Sequence, residues 1–177
     1  EKAYLILEDG RIFEGQSFGA QGTVIGELVF TTAMTGCVES LTDPSYYGQL
    51  VTYPFPMFAN YGICTQDTES PHCQMGGIVV REVCQVPSNF RCDKTADEFL
   101  REQGVVGLAG IDTRAITQEL RDRGVMNAAL TMPQATPSGS FGRYIAPISC
   151  LLKKNTANPA ISENATETAR QTNMTFF

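Results

Sequence analysis

Near Pro133 the sequence changes character, and the break confines an expected folded core to the residues before it. Upstream, strand-like apolar runs alternate with turn-forming residues; downstream comes a Ser/Thr/Asn/Pro/Ala-rich stretch with apolar periodicity only around Tyr144 to Leu152. Charge changes sign at the same place. Residues 1–132 carry 9 Lys+Arg against 17 Asp+Glu, net −8, whereas residues 133–177 carry 4 against 2, net +2. We therefore expect one domain over 1–132 and a linker or tail over 133–177, largely disordered from about residue 153, because such a composition buries too little apolar surface to offset the cost of ordering it. With 42% hydrophobic residues, a domain of this length can build a core without staples.

Within 1–132 the local signals are mostly those of strands. Asp9-Gly10 separates Ala3–Leu7 from Arg11–Gly15, and Asp-Gly between two β-prone runs is a strong hairpin signal. Thr23–Thr32, Gln49–Tyr53 and Gly77–Val83 read as further strands, each bounded by Gly or Pro. Helices are expected to be few and late. Thr95-Ala-Asp-Glu98 is a capping box that opens one, with Gly104 as its stop; Asp112 caps a second, carrying Ala115, Ile116 and Leu120 at helical spacing up to Gly124. Val105–Ile111 and Val125–Thr131 read as short strands. The expected class is α+β: a sheet-rich domain with few short helices.

Composition then removes whole classes of function. The net charge of −6 argues against a nucleic-acid partner, since binding phosphates requires clustered cations. One histidine, His72, rules out an HExxH helix and His-rich zinc sites. The six cysteines form no CxxC, so we expect reduced thiols and no metal. No phosphate-binding glycine loop occurs, and no cofactor is expected. No apolar run approaches 18 residues and the N-terminus lacks signal-peptide character, so neither a membrane nor secretion is implied; the default compartment is cytoplasmic.

The remaining candidates for chemistry are weak, with one exception. Gly62-Ile-Cys64-Thr-Gln66 approaches a nucleophile elbow, but Gln66 stands where a glycine is needed and Asp67–Pro71 is turn-prone, so Cys64 reads as a loop thiol. Glu8 and Asp9 fall in the hairpin, and Glu119 with Asp122 on a helix face interrupted by Arg121 and Arg123, a solvated or partner-facing surface. Met34, Met57 and the aromatics from Tyr46 to Tyr61 could line a pocket, although such residues are more often core. The exception is Leu41-Thr-Asp-Pro-Ser-Tyr-Tyr-Gly48. Asp-Pro-Ser sets a tight turn that presents a hydroxyl and two aromatics on a rigid loop, as binding surfaces do.

The same loop carries a resemblance. Gly26-Glu-Leu-Val-Phe-Thr-Thr-Ala-Met-Thr-Gly36, Leu41-Thr-Asp-Pro-Ser-Tyr46, Gly48-Gln-Leu-Val-Thr52, Asn60-Tyr-Gly62, Gly77-Ile-Val-Val-Arg81, Pro87-Ser-Asn-Phe90 and Gly110-Ile-Asp-Thr-Arg-Ala-Ile-Thr117, in order and spacing, resemble the N-terminal domain of the small subunit of glutamine-dependent carbamoyl phosphate synthetase. The resemblance spans about residues 3–131. The chain departs from the family's pattern at Thr31, Cys37 and Tyr53-Pro54-Phe55. It also lacks the family's second domain, a class I glutaminase with an elbow cysteine and a His-x-Glu pair; together with the absent initiator Met, this suggests a fragment or a truncated gene product.

The resemblance implies a division of labour. The small subunit hydrolyses glutamine, and the large subunit uses the ammonia with ATP and bicarbonate to make carbamoyl phosphate for arginine and pyrimidine synthesis. The N-terminal domain contacts the large subunit and lends the serine of the L-T-D-P-S-Y loop, here Ser45, to the glutamine site of the glutaminase domain. The leading expectation is thus a docking domain with no catalytic residue of its own, part of an amidotransferase-ligase complex. The alternative is a standalone protein-interaction module with the same fold.

Overall fold

The structure is a computed structural model, and residues 1–132 are the ones it describes. The expectations for 133–177 lie outside the described residues. Seven strands close into one barrel: β1 (Lys2–Leu7), β2 (Ile12–Gly19), β3 (Thr23–Phe30), β4 (Leu50–Phe58), β5 (Gly77–Val83), β6 (Val106–Ala109) and β7 (Met126–Thr131), in the spatial order β1-β2-β6-β5-β4-β3-β7. Three short helices accompany them, α1 (Cys37–Thr42), α2 (Ala96–Glu102) and α3 (Thr113–Arg123). The α+β, sheet-rich class is as expected.

The hairpin forms where Asp9-Gly10 placed it, with Ile6 opposite Ile12 and Lys2 opposite Gln16. Closure comes from long-range pairing: β7 lies antiparallel between β1 and β3, with Thr131 opposite both Tyr4 and Thr23. The β3-β4, β4-β5 and β5-β6 pairs are parallel. Parallel strands are normally covered on both faces, and the continuous apolar runs of β4 and β5 match that need. Leu50 and Val79 join the core inside the barrel with Leu5, Leu28, Leu108 and Leu130. Val51, Tyr53, Ile78 and Val80 face outward into a second core completed by Val38 and Leu41 of α1 and by Phe99 and Leu100 of α2.

Helix ends follow their caps. Thr95 Oγ1 accepts from the Glu98 amide at 3.3 Å while Glu98 accepts from the Thr95 amide at 2.9 Å, the reciprocal pair expected for α2. Asp112 accepts from the amides of Arg114 and Ala115 and opens α3, whose Ile116 and Leu120 enter the inner core.

Two expectations need correction. One helix comes early: α1 begins after Gly36, which offers no side-chain cap, so no capping signal announces it. Strand β4 runs past Pro54 to Phe58 because Pro54, Phe55 and Pro56 sit in a register shift between the Tyr53-Val80 and Met57-Glu82 pairs, where the missing amide hydrogens break no ladder bond.

An ionic cluster ties the hairpin to α3. Arg11 pairs with Asp9 at 2.6 Å and with Glu119, and Arg123 reaches Glu119 at 3.2 Å. Hydrogen bonding from Arg11, ahead of its charge and that of Arg123, holds the Asp9 and Glu119 carboxyls below their ordinary values. A depressed folded-state pKa contributes stability above the unfolded value and loses it as pH falls through the folded one. The stability difference between wild type and Arg11→Gln should accordingly be full at neutral pH and shrink below the ordinary glutamate value of 4.5. Urea unfolding at pH 7 and pH 3 checks this; a difference that ignores pH would mean that Arg11 acts through packing alone.

Candidate functional site

The Leu41–Gly48 segment is a rigid turn on the surface, as its residue types require. Asp43 caps a 3₁₀ turn over Pro44–Tyr46, its Oδ1 accepting from the Ser45 amide at 2.8 Å, with Pro44 presetting the first position. The Tyr46 amide donates to the Asp43 carbonyl at 3.2 Å and the Tyr47 amide to the Pro44 carbonyl at 3.1 Å. Ser45 and Tyr47 are exposed, while Tyr46 packs against the outer core. The Ser45 amide, and after it the Ser45 hydroxyl, lower the Asp43 pKa. The serine hydroxyl in this setting is presented on a fixed backbone and exposed to solvent. The carboxylate beside it is a poor base because its own pKa is depressed, so the arrangement suits hydrogen bonding to a ligand better than nucleophilic attack.

Cys64 is nearly buried, at 7% exposure. The residues after it form a 3₁₀ turn, Thr65–Asp67, in place of the helix an elbow requires. Its sulfur meets the Arg91 guanidinium at 3.4 Å, and Arg91 also pairs with Asp67 at 2.8 Å. His72 is exposed, and its carbonyl oxygen accepts from the Ser70 hydroxyl. The five described cysteines are free thiols, and burial pushes those of Cys37 and Cys73 up to about 11, the opposite of what activates a nucleophile. Among the described residues no group of three His, Cys, Asp or Glu side chains is placed to hold a metal.

Three of the four carboxylates weighed in the sequence, Glu8, Asp9 and Glu119, have structural partners. Glu8 accepts from the backbone and side-chain nitrogens of Asn127, both at 3.1 Å, and Glu119 belongs to the Arg11 cluster. Met34 and Met57 depart from the core reading. Met34 is 72% exposed, and with Met57, Phe55 and Tyr61 it lines an open apolar groove floored by Tyr53 and Cys37. Cys37, Tyr53 and Phe55, three of the positions that depart from the family's pattern, meet in this groove. Beyond it, Val86 and Phe90 stand 82% and 97% exposed on a loop that the Ser88 amide fastens to the Asn60 carbonyl at 3.1 Å. Sequence reasoning missed this loop as a surface feature. A lone Phe in a Pro/Ser/Asn-rich stretch, where no periodicity can bury it, was the available signal.

The barrel and its exposed polar turn have a defined relationship to known proteins. Residues 5–130 match the family model of the carbamoyl-phosphate synthase small chain, CPSase domain, and the chain belongs to that family. Particular relatives place it further. It is 50% identical over 131 residues to the carbamoyl phosphate synthase small chain of Clostridium perfringens (strain 13 / Type A), covering 74% of this chain and 38% of that one. The small chain of Fusobacterium nucleatum subsp. nucleatum is 52% identical over 126 residues, 71% of this chain and 35% of its own. That of Syntrophotalea carbinolica is 46% identical over 136 residues, 77% and 36%. The chain thus spans little more than a third of the length of the curated relatives it matches. Among the described residues no helix is long and apolar enough to cross a membrane.

Proposed function

We propose that this chain is a non-catalytic docking domain of glutamine-dependent carbamoyl phosphate synthetase: it contacts the large subunit and, through Ser45, helps complete the glutamine site of a glutaminase domain. The observation that carries the reading is the Asp43–Tyr47 turn. Backbone bonds fix the turn, and it leaves the Ser45 hydroxyl exposed with no strong base beside it. Such a group adds a hydrogen bond to a substrate held elsewhere without taking part in its hydrolysis. The groove of Met34, Phe55, Met57 and Tyr61, with Val86 and Phe90 exposed on the loop tied to Asn60, supports a docking role, since exposed large apolar side chains favour burial against a partner. A cytoplasmic complex serving arginine and pyrimidine synthesis is the setting this reading implies.

The test of the site uses a chimera in which residues 1–132 replace the matching part of the Clostridium perfringens small chain, assembled with that organism's large chain. Ser45→Ala should raise the KM for glutamine by about two- to ten-fold, the net worth of one hydrogen bond of roughly 0.5 to 1.5 kcal/mol. Synthesis driven by free ammonia should not change. A glutamine KM equal to that of the unmutated chimera would remove Ser45 from the site.

A further inference from the structure

The Ser45 turn is held from outside as well as by its own bonds. Leu41 and Thr42 precede it and Gly48 follows it, and on both sides they are bonded to one distant segment, Glu69–Gln74. On the near side, the Glu69 amide donates to Thr42 Oγ1 at 2.9 Å, and the Ser70 hydroxyl donates to the Thr42 carbonyl at 2.6 Å. The Gln74 amide and the Cys73 thiol both donate to the Leu41 carbonyl, at 3.2 and 3.0 Å. On the far side the Gly48 amide donates to the Gln74 carbonyl at 3.0 Å. Thr42 is 1% exposed, and its hydroxyl also donates to the Val38 carbonyl at 2.9 Å, so its bonding capacity is filled from α1 and from this segment together.

We propose that Glu69–Gln74 is the positioning element of the Ser45 turn, with Ser70 its central residue. This rests on the reading of Ser45 given above and adds to it the part of the chain that sets the direction of the hydroxyl. Ser70 is central because it links three groups. Its hydroxyl is shared between the carbonyls of Thr42 and His72, at 2.6 and 2.7 Å, and accepts from Gln74 Nε2 at 3.2 Å. The segment is itself anchored, since the Cys73 amide donates to Gln103 Oε1 at 3.1 Å beyond the end of α2. The clamp therefore joins the turn to the helix layer over the outer core. The stretch holding the single histidine, which offered no chemistry of its own, acquires a role as a brace. A buried carbonyl left without its donor seeks water or another partner, and the turn then has more than one orientation.

Two measurements test it. In the 177-residue chain, Ser70→Ala should speed hydrogen exchange at the Ser45, Tyr46 and Tyr47 amides by about three- to ten-fold while leaving β5 and β7 protected, and Ser70→Thr should restore it. In the chimera, Ser70→Ala should raise the glutamine KM with kcat changed less than two-fold, Ser70→Thr should bring KM back, and ammonia-driven synthesis serves as the check on assembly. Unchanged exchange in Ser70→Ala overturns the clamp. So does an unchanged KM in Ser70→Ala when Ser45→Ala raises it. If Ser45→Ala leaves KM unchanged, the glutamine reading fails instead, and the exchange result alone decides whether the segment holds the turn.

Discussion

Gly19→Ala should destabilise the domain by about 2 to 5 kcal/mol, a large fraction of the roughly 5 to 15 kcal/mol that keeps a domain folded. Gly19 ends β2 at φ +72°, in the left-handed region that costs an L-residue roughly 1 to 2 kcal/mol. A Cβ there would also lie 2.6 Å from the Val105 carbonyl oxygen and 2.9 Å from Leu100 Cβ. Neither neighbour can yield easily. The Ala20 amide donates to that same carbonyl at 2.9 Å, Asp97 Oδ1 holds the Gly19 amide at 2.7 Å, and Leu100 is fully buried. Overpacking of this kind adds about 1 to 3 kcal/mol. Gly104→Ala is the control, because Gly104 has nearly the same φ, +71°, but open space around its missing Cβ. Urea unfolding of both variants separates backbone strain from collision; if Gly19→Ala loses no more stability than Gly104→Ala, the close approach of β2 to β6 and α2 is softer than described.

The second large effect concerns association. A purified large chain of carbamoyl phosphate synthetase should retain this 177-residue chain in co-elution and give measurable heat on titration at micromolar concentrations. Stable interfaces typically bury on the order of 1,200 to 2,000 Å², and the exposed side chains of Met34, Tyr61, Val86 and Phe90 have apolar area to contribute. The same samples should release no ammonia from glutamine above background. Hydrolysis needs an activated thiolate: Cys37 and Cys73 are displaced in the wrong direction, and Cys64 sits nearly buried against Arg91 before a 3₁₀ turn. Ammonia release abolished by Cys64→Ser would overturn the non-catalytic assignment. Absence of any complex would favour a standalone interaction module.

What the sequence revealed was local. Asp9-Gly10, the Thr95/Glu98 box and Asp112 act within a few residues of themselves, so the hairpin and both later helices could be located before any tertiary contact was known. The strands β5 and β7 were bounded by their turn residues in the same way. Pairing of Tyr4 with Thr131, or the parallel runs of β3 to β6, has no local sign. The expected strand stops at Tyr53, before Pro54, because only the register of the neighbouring strand reveals the shift that tolerates proline there. The site divides along the same line. The Asp43–Ser45 turn could be read from residue types, whereas the brace from Ser70 to Thr42 crosses 28 positions and consists of one hydroxyl meeting one carbonyl.

Closure of the barrel has a consequence for recruitment. With β1 and β3 both bonded to β7, every strand among the described residues has a neighbour on each side, and what is left for an incoming peptide to pair with is confined to short stretches such as 12–15 of β2 and 23–27 of β3, which have a ladder partner on one side only. Recognition then falls mainly to side chains and loop backbones. A binding partner must therefore match the shape of a fixed surface, and substitutions at the rim can retune that match without disturbing the hydrogen-bonded wall behind it.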